Sequence, residues 1–401
     1  MEKDNPENLI TIGNFLGSSN FCFGIWGLEV ARNSTKRPNL FQRICQIIDA
    51  FCVTTIAAQI TLLCVLELGK PDAFLQITHN MSAISFVSMA YVKLYMTLIR
   101  QKSLIDEILE DIESMFPSTR KQQEKYKVKE FLTSLRRQDM IYHTSQVVHI
   151  LFFNVFGIVV SVIGYYFVDG VYLLELQLYY WFPFNFTTDS IITFVIYYFM
   201  TSVTCIGAVI MLSAVDLLFT GVLALVSLEF NILSDKLRHF DTLVDESLND
   251  LIKIHYKLIE LTEKIDKLFT ICMLYNFSGS TLVLCFTGFQ AITNSSFISF
   301  FRFTFFLITS LYQIFLICYQ GDKLMRSSMS ISEGIAGSNW VNADNQTKKS
   351  LQLMILRANK PQTVKAYKMA QVCIPSFTRI LSSSYSYFTL LRAVYKPPVV
   401  V

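Results

Sequence analysis

Seven stretches of this chain are apolar over the length of a membrane crossing, and no other feature restricts its fold as severely. A helix that crosses the ~30 Å hydrocarbon layer needs about 20 predominantly apolar residues. Runs of that kind occur at about residues 44–66, 74–99, 146–168, 190–228, 268–291, 297–320 and 372–395. Inside a bilayer each backbone N–H and C=O must find a partner within its own segment, so such runs are helices. Composition agrees: hydrophobic residues make up 52% of 401 and charged residues only 16%, against about 25% charged in soluble domains. The net charge of +3 is too small to imply nucleic acid. The expected fold is an all-α membrane protein with seven transmembrane helices.

Orientation follows from where Lys and Arg fall near the span ends. The segment between spans two and three holds nine of them, from Arg100 to Arg137. Those between spans four and five and between six and seven hold six and eight, and the N-terminal arm holds five. The opposite connections hold Lys70 alone, with none in 169–189 or 292–296. The N-terminus is therefore expected in the cytoplasm and, after seven spans, the C-terminus outside. That is the reverse of a G-protein-coupled receptor. The sequons at Asn185 and Asn294 fall in the expected outer loops, and Asn185 is the expected glycosylation site.

The first 40 residues do not read as a signal peptide, since they start acidic and show no small-residue cleavage site. Residues 9–28 carry Phe15, Leu16, Phe21, Phe23, Ile25 and Trp26, which suits an amphipathic helix lying on the cytoplasmic membrane face. All nine cysteines lie in the arm, in spans or at span ends, so neither an extracellular disulfide framework nor a metal motif is expected. There is no phosphate loop, no HExxH and no GxSxG. The five histidines are scattered, and His149 reads as a hydrogen-bonded core residue. No enzyme activity, cofactor or metal is expected.

The basic segments carry apolar stripes of their own. Leu104, Ile105, Ile108, Leu109, Ile112, Met115 and Phe116 share one helical face, and Leu251, Ile254, Leu258, Leu261 and Ile265 share another. Residues 120–138 read as a basic helix. Spans four, five and six are expected to run on as helices into a packed cytoplasmic anchor domain. The organisation expected is a cytoplasmic arm at 1–43, six helices with cytoplasmic extensions at 44–320, an anchor helix region at 321–371, and a seventh helix with an outer tail at 372–401.

Several short motifs resemble those of insect odorant receptors. "FLICYQGDKL" (315–324) is similar to their Cys-Tyr-x-Gly-Glu ending of span six, with Asp322 in the place of Glu. "AGSNW" (336–340) and "LQLMILRANKP" (351–361) resemble the approach to their cytoplasmic helix and the helix itself. "ILSSSYSYFTLLR" (380–392) resembles their last span, and "FGIWG" (23–27) their N-terminal arm. Gustatory receptors usually carry Thr-Tyr and Gln-Phe in the last span, whereas this chain has Ser386-Tyr387 and no such Gln. The resemblance implies a tuning subunit of a four-subunit ligand-gated cation channel, paired with a shared co-receptor in the plasma membrane of an olfactory neuron dendrite. A gustatory-type homomeric channel is the first alternative. A transporter is the second, although no internal repeat is visible.

The last span is also the most polar. Arg379, Ser383, Ser386, Leu390, Ala393 and Val394 share a face by three- and four-residue spacing. A lipid-facing helix has no use for those hydroxyls, while a helix lining a water-filled pore does. Ser383, Ser386, Leu390, Ala393 and Val394 are the expected pore residues, with Leu390 and Val394 closing the pore by dewetting. The alternative is that the serines let helices pack closely. The resemblance places the ligand pocket among spans two, three, four and six. Its expected lining is Ile84, Ser88 and Tyr91; Phe156, Val159, Val160 and Ile163; Ile196, Phe199, Met200 and Val203; and Phe305, Phe306 and Thr309. The aromatic loop 172–186 is expected to cap it. With no unpaired acid read at that depth, the expected ligand is a small neutral hydrophobic volatile rather than a cation.

Overall fold

Helix α9 (Ile191–Arg238) organises the molecule. Its central stretch, from Leu212 through Phe230, is buried on every side, as expected of a helix that is apolar all round. The computed structural model describes residues 9–28, 38–66, 73–164, 176–180, 191–240, 248–293 and 297–395. In chain order, the elements before α9 are α1 (Ile12–Phe15), α2 (Gly17–Ile25), α3 (Leu40–Leu66), α4 (Ala73–Leu94, continued by a π turn at Tyr95–Ile99), α5 (Lys102–Met115), α6 (Arg120–Lys125), α7 (Val128–Asn154) and α8 (Phe156–Gly164). After α9 come α10 (Leu248–Thr293), α11 (Phe297–Ala336), α12 (Asn345–Ala358), a small hairpin of β1 (Lys365–Ala366) and β2 (Ala370–Gln371), and α13 (Ile374–Val394).

Five of the described helices, α3, α4, α9, α10 and α11, are long and apolar enough to cross a membrane. With α7–α8 and α13 they make seven long helical units at the positions the apolar runs predict. The third is polar over its first half and interrupted at Val155, and the seventh is rich in hydroxyls. Helices α9, α10 and α11 have 48, 46 and 40 residues. At 1.5 Å per residue even α11 reaches about 60 Å, twice the hydrocarbon thickness.

The packing is uneven along that length. One large core joins α1 and α2, the far halves of α9, α10 and α11, and α5, α7 and α12. It fills the end of the bundle rich in Lys and Arg. Two glycines permit its closest approaches. A Cβ on Gly334 would stand 2.4 Å from the Ser234 carbonyl oxygen of α9, and one on Gly321 only 2.1 Å from the Val372 carbonyl oxygen just before α13. Gly321 thus accounts for the glycine in the Cys-Tyr-x-Gly motif: it lets the start of the last helix lie against α11. The hairpin is tied to α10 as well, Lys365 N–H donating to Asp266 Oδ1 (2.6 Å) and Tyr367 N–H to the Thr270 carbonyl (3.2 Å).

The N-terminal arm docks along α9: Phe15, Leu16, Cys22 and Phe23 are buried and Ser19 Oγ donates to the Ala214 carbonyl at 2.8 Å, while Phe21 and Ile25 are exposed. The basic stretch 120–138 is two helices, because Lys127 adopts a left-handed backbone (φ 54°) between α6 and α7. Helix α12 is capped by Asp344, whose side chain accepts from the Gln346 and Thr347 amides. Leu351, Met354 and Ala358 face inward, while Leu353 and Leu356 are 67% and 68% exposed.

At mid-length five helices meet around one buried ion pair. Lys93 Nζ of α4 lies 2.6 Å from Asp216 Oδ1 of α9, both side chains essentially without solvent exposure. Asn276 of α10 accepts a second bond from Lys93. Gln313 of α11 donates to Asp216 Oδ2 at 2.7 Å, and Tyr142 of α7 reaches the same oxygen at 3.4 Å. Charges at such depth persist only when paired and hydrogen-bonded.

Candidate functional site

Outside the main core the remaining buried apolar side chains form two small clusters in place of one continuous core. Between the clusters lies a cavity of ≈ 240 Å³. Helix α3 lines it with Val53, Ile56, Ala57 and Ile60, and α4 with Ala83, Ile84, Phe86, Val87, Ser88 and Tyr91. His149 and Phe153 come from α7, Thr201, Thr204 and Cys205 from α9, Phe306 from α11, and Leu178 from the segment 176–180. The wall is almost wholly apolar, with a few polar atoms, which is the usual make-up of a small-molecule site. Its volume sits below the ~300 Å³ at which drug-sized pockets begin.

Residues 176–180 are held over the cavity by side chains of α4. Asn80 Nδ2 donates to the Tyr179 carbonyl (2.7 Å), and Tyr179 N–H donates to Asn80 Oδ1 (3.0 Å). His79 Nε2 is 2.9 Å from the Gln177 carbonyl oxygen. Gln177 Nε2 donates to Ser202 Oγ of α9 at 3.2 Å, and Tyr180 shares a short hydrogen bond with Thr201. These bonds fix Leu178 as the roof.

Of the residues expected to line a pocket, Ile84, Ser88, Tyr91 and Phe306 do line this cavity. The others lie elsewhere. Phe156 belongs to an aromatic group at the rim with Phe152, Phe297 and Phe301. Val159 and Ile163 are 45% and 51% exposed, and Val160 is half-buried. Ile196 and Phe199 point outward, Met200 packs beside Ile56 and Leu178, and Val203 is half-buried. Phe305 stacks on Phe152, with ring centroids 3.7 Å apart, and Thr309 is buried with its hydroxyl on the Phe305 carbonyl (3.0 Å).

Two physical causes account for the differences. Helix α7 ends at Asn154, before the expected Phe156–Ile163 face, and the third span meets the cavity through His149 and Phe153. Helix α9 is apolar nearly all round and offers no periodicity from which to choose its facing side. The contribution of α3 was not expected, yet Val53, Ile56, Ala57 and Ile60 stand at i, i+3, i+4 and i+7, one face of a helix. A buried acid lies nearby. Asp49, one turn from Val53, accepts the Tyr91 hydroxyl proton on Oδ2, while Oδ1 has no partner within the protein. Gly207 makes room for it, since a Cβ there would stand 2.6 Å from Oδ1.

Helix α13 packs on α10 and α11 through Ser376, Ile380 and Ser384. The other side is open: Arg379, Ser383, Ser386, Leu390, Ala393 and Val394 are all exposed, Leu390 and Val394 at 61% each. At its far end Tyr395 stacks on Phe74 of α4 (centroids 6.1 Å) and meets Phe289 of α10 edge-on (5.6 Å). Asn185 and Asn294 lie outside the described residues.

A bundle of membrane-length helices with an apolar cavity between them is the architecture of a multi-pass membrane protein. Comparison with known proteins makes this specific. Residues 73–385 match the family model "7tm Odorant receptor". Odorant receptor 67c of Drosophila melanogaster is 26% identical over 74% of this chain and 75% of its own length. Odorant receptor 85b of the same species is 26% identical over 81% of this chain and 84% of its own. The solved structure of the olfactory receptor OR5 from Machilis hrabei in complex with eugenol superposes with a TM-score of 0.78 and 17% identity, covering 96% of this chain and 98% of that one. The chain belongs to the insect odorant receptor family.

Proposed function

We propose that this chain is the odorant-binding subunit of a ligand-gated, non-selective cation channel that it forms together with a shared co-receptor subunit. The observation that carries this reading is the pairing of a roofed apolar cavity with a neighbouring helix whose hydroxyl-bearing face is unoccupied in the single chain. The ligand is a small volatile held mainly by burial, at about 25 cal/mol per Å² of apolar surface. The chain spans the plasma membrane seven times, with its N-terminus in the cytoplasm, and Ser383, Ser386, Leu390, Ala393 and Val394 line the pore.

Coupling between the two regions runs through α4. Its residues form the largest share of the cavity wall, and it packs along α10, which in turn packs on α13. The Phe74–Tyr395 stack joins α4 directly to the end of α13. A ligand that binds better when α4 shifts biases α13 by its differential affinity for the two states. Leu390 and Val394 hold the resting pore closed by excluding water. The exposed Leu353 and Leu356 of α12 meet neighbouring subunits at the cytoplasmic end.

The test is expression in oocytes with and without an insect co-receptor, recording current during odorant application. Odorant-gated current that requires the co-receptor is expected. Equal current from this chain alone would favour a homomeric channel, and substrate uptake without current would favour a transporter.

A further inference from the structure

Most hydroxyl groups on the cavity wall have already committed their proton. Ser88 Oγ donates to the Ser85 carbonyl (3.0 Å), Tyr91 to Asp49, and Thr201 Oγ1 to the Tyr197 carbonyl (2.7 Å). A hydroxyl that has given its proton is satisfied, and its remaining lone pairs need no partner.

Two lining groups are different. Thr204 is 4% exposed and its Oγ1 has no partner within the protein. Its neighbours on α9 behave otherwise: Thr201 and Ser202 fold back onto carbonyls four residues earlier, as Thr78, Thr281 and Thr287 do in other helices. His149 is 2% exposed, its Nδ1 has no partner within the protein, and its ring is boxed by Phe86, Phe153 and Phe306 at centroid distances of 5.9, 5.7 and 4.6 Å. A buried polar group left unsatisfied is destabilising, and its presence in a native wall calls for a reason. Valine and phenylalanine would fill the same places without that penalty.

We infer that the cavity selects volatiles carrying an acceptor oxygen, such as ketones, aldehydes and esters, whose carbonyl takes hydrogen bonds from the Thr204 hydroxyl and the His149 imidazole. This rests on the reading of the cavity as the odorant site. The Thr204 hydroxyl and the N–H of the neutral His149 imidazole are both uncommitted, so one acceptor oxygen can take a bond from each. The aromatic box and the Val53–Ile56–Ile60 face then receive the hydrocarbon body. A hydrocarbon of the same shape fills the space but leaves both donors unsatisfied. The penalty for missing a built hydrogen-bonding site exceeds the gain from one extra methylene.

The experiment compares isosteres: methyl ketones of five to eight carbons against the hydrocarbons in which a methylidene group replaces the carbonyl, with the matching aldehydes and acetate esters included. The chain is co-expressed with the co-receptor, and half-maximal concentrations are read from current. At least one oxygenated series is expected to activate at about tenfold or more lower concentration than its hydrocarbon partner, a ratio equivalent to ~1.4 kcal/mol. Thr204→Val and His149→Phe should each shrink that ratio several-fold, with the surface level of the tagged subunit as the control for folding. An unchanged ratio in both variants overturns the assignment, as does the absence of response to every oxygenated compound tested. Ala83→Leu separates this from the parent reading. It fills the cavity and should weaken every agonist. If it leaves all responses as they were, the cavity is not the odorant site and the proposal of the previous subsection falls with it.

Discussion

Replacing Lys93 with Met removes one half of the buried ion pair while keeping the length and apolar stem of the side chain. Lys93 Nζ and Asp216 Oδ1 are 2.6 Å apart with relative exposures of 0% and 1%, so no solvent can compensate the carboxylate left behind. Breaking such a pair from one side destabilises by about 3–5 kcal/mol. Asp216 retains Gln313 at 2.7 Å and Tyr142 at 3.4 Å, which puts the expected loss near the lower end, roughly 3 kcal/mol. Against a total stability of about 5–15 kcal/mol, that lowers the folded-to-unfolded ratio on the order of a hundredfold. Adding Asp216→Leu to the same chain removes the stranded charge. It leaves Gln313 and Asn276 without those partners, at about 1–3 kcal/mol for an unsatisfied buried group, so partial recovery is expected. The assay is the monodisperse fraction of detergent-solubilised protein after graded heating, alongside surface level in cells. The single variant should fall well below wild type, with the double variant between them. A single variant that melts with wild type, or a double variant worse than the single, would refute the argument that the ion pair holds these five helices together.

Four further outcomes follow from other parts of the molecule. Gly321→Ala places a Cβ 2.1 Å from the Val372 carbonyl oxygen, on backbone that cannot rotate away; a loss of roughly 1–3 kcal/mol should appear as reduced surface level and current, and wild-type levels would show that the approach to α13 is not tight. Leu353→Asp changes a side chain that is 67% exposed in the single chain, so the subunit should still fold, while co-purification with the co-receptor is lost; undiminished co-purification would move the interface elsewhere. Leu390→Ser should raise resting current or alter ion permeability ratios with the order of agonists unchanged, and a change of agonist order without a change in conduction would reassign that face of α13. An epitope tag placed after Val401 should stain unpermeabilised cells, and staining only after permeabilisation would contradict an odd number of spans from a cytoplasmic N-terminus.

Much of the architecture was legible because it depends on local chemistry. Where helices lie follows from apolar runs of membrane length, since a backbone in lipid has no alternative but to bond to itself. The apolar stripe of α10, with Leu251, Leu258 and Ile265, was readable from its spacing and is buried in the main core. The open face of α13 was readable in advance because hydroxyls at Ser383 and Ser386 alternate with the packed side at Ser376, Ile380 and Ser384. The motif glycine at 321 was visible as a glycine, though not as a contact.

What only the tertiary structure decided is which side of each apolar helix meets what. Helix α9 carries bulky apolar or small residues around nearly its whole circumference, so Ile196 and Phe199 looked as suitable for a pocket as Thr201, Thr204 and Cys205. Burial energy is proportional to area and carries no direction; rotation about such a helix axis is settled by how neighbouring side chains interlock. Polar partners were hidden for a related reason. A lone Lys93, Asp49 or Asp216 in a span announces that some partner must exist, because an isolated charge there is too costly. The partner itself stands on another helix, 123 residues away in the case of Lys93 and Asp216, and only packing brings the two together. His149 marks the same boundary. Sequence made it a hydrogen-bonded core histidine, and the fold set its ring in the wall of a cavity with Nδ1 lacking a partner within the protein.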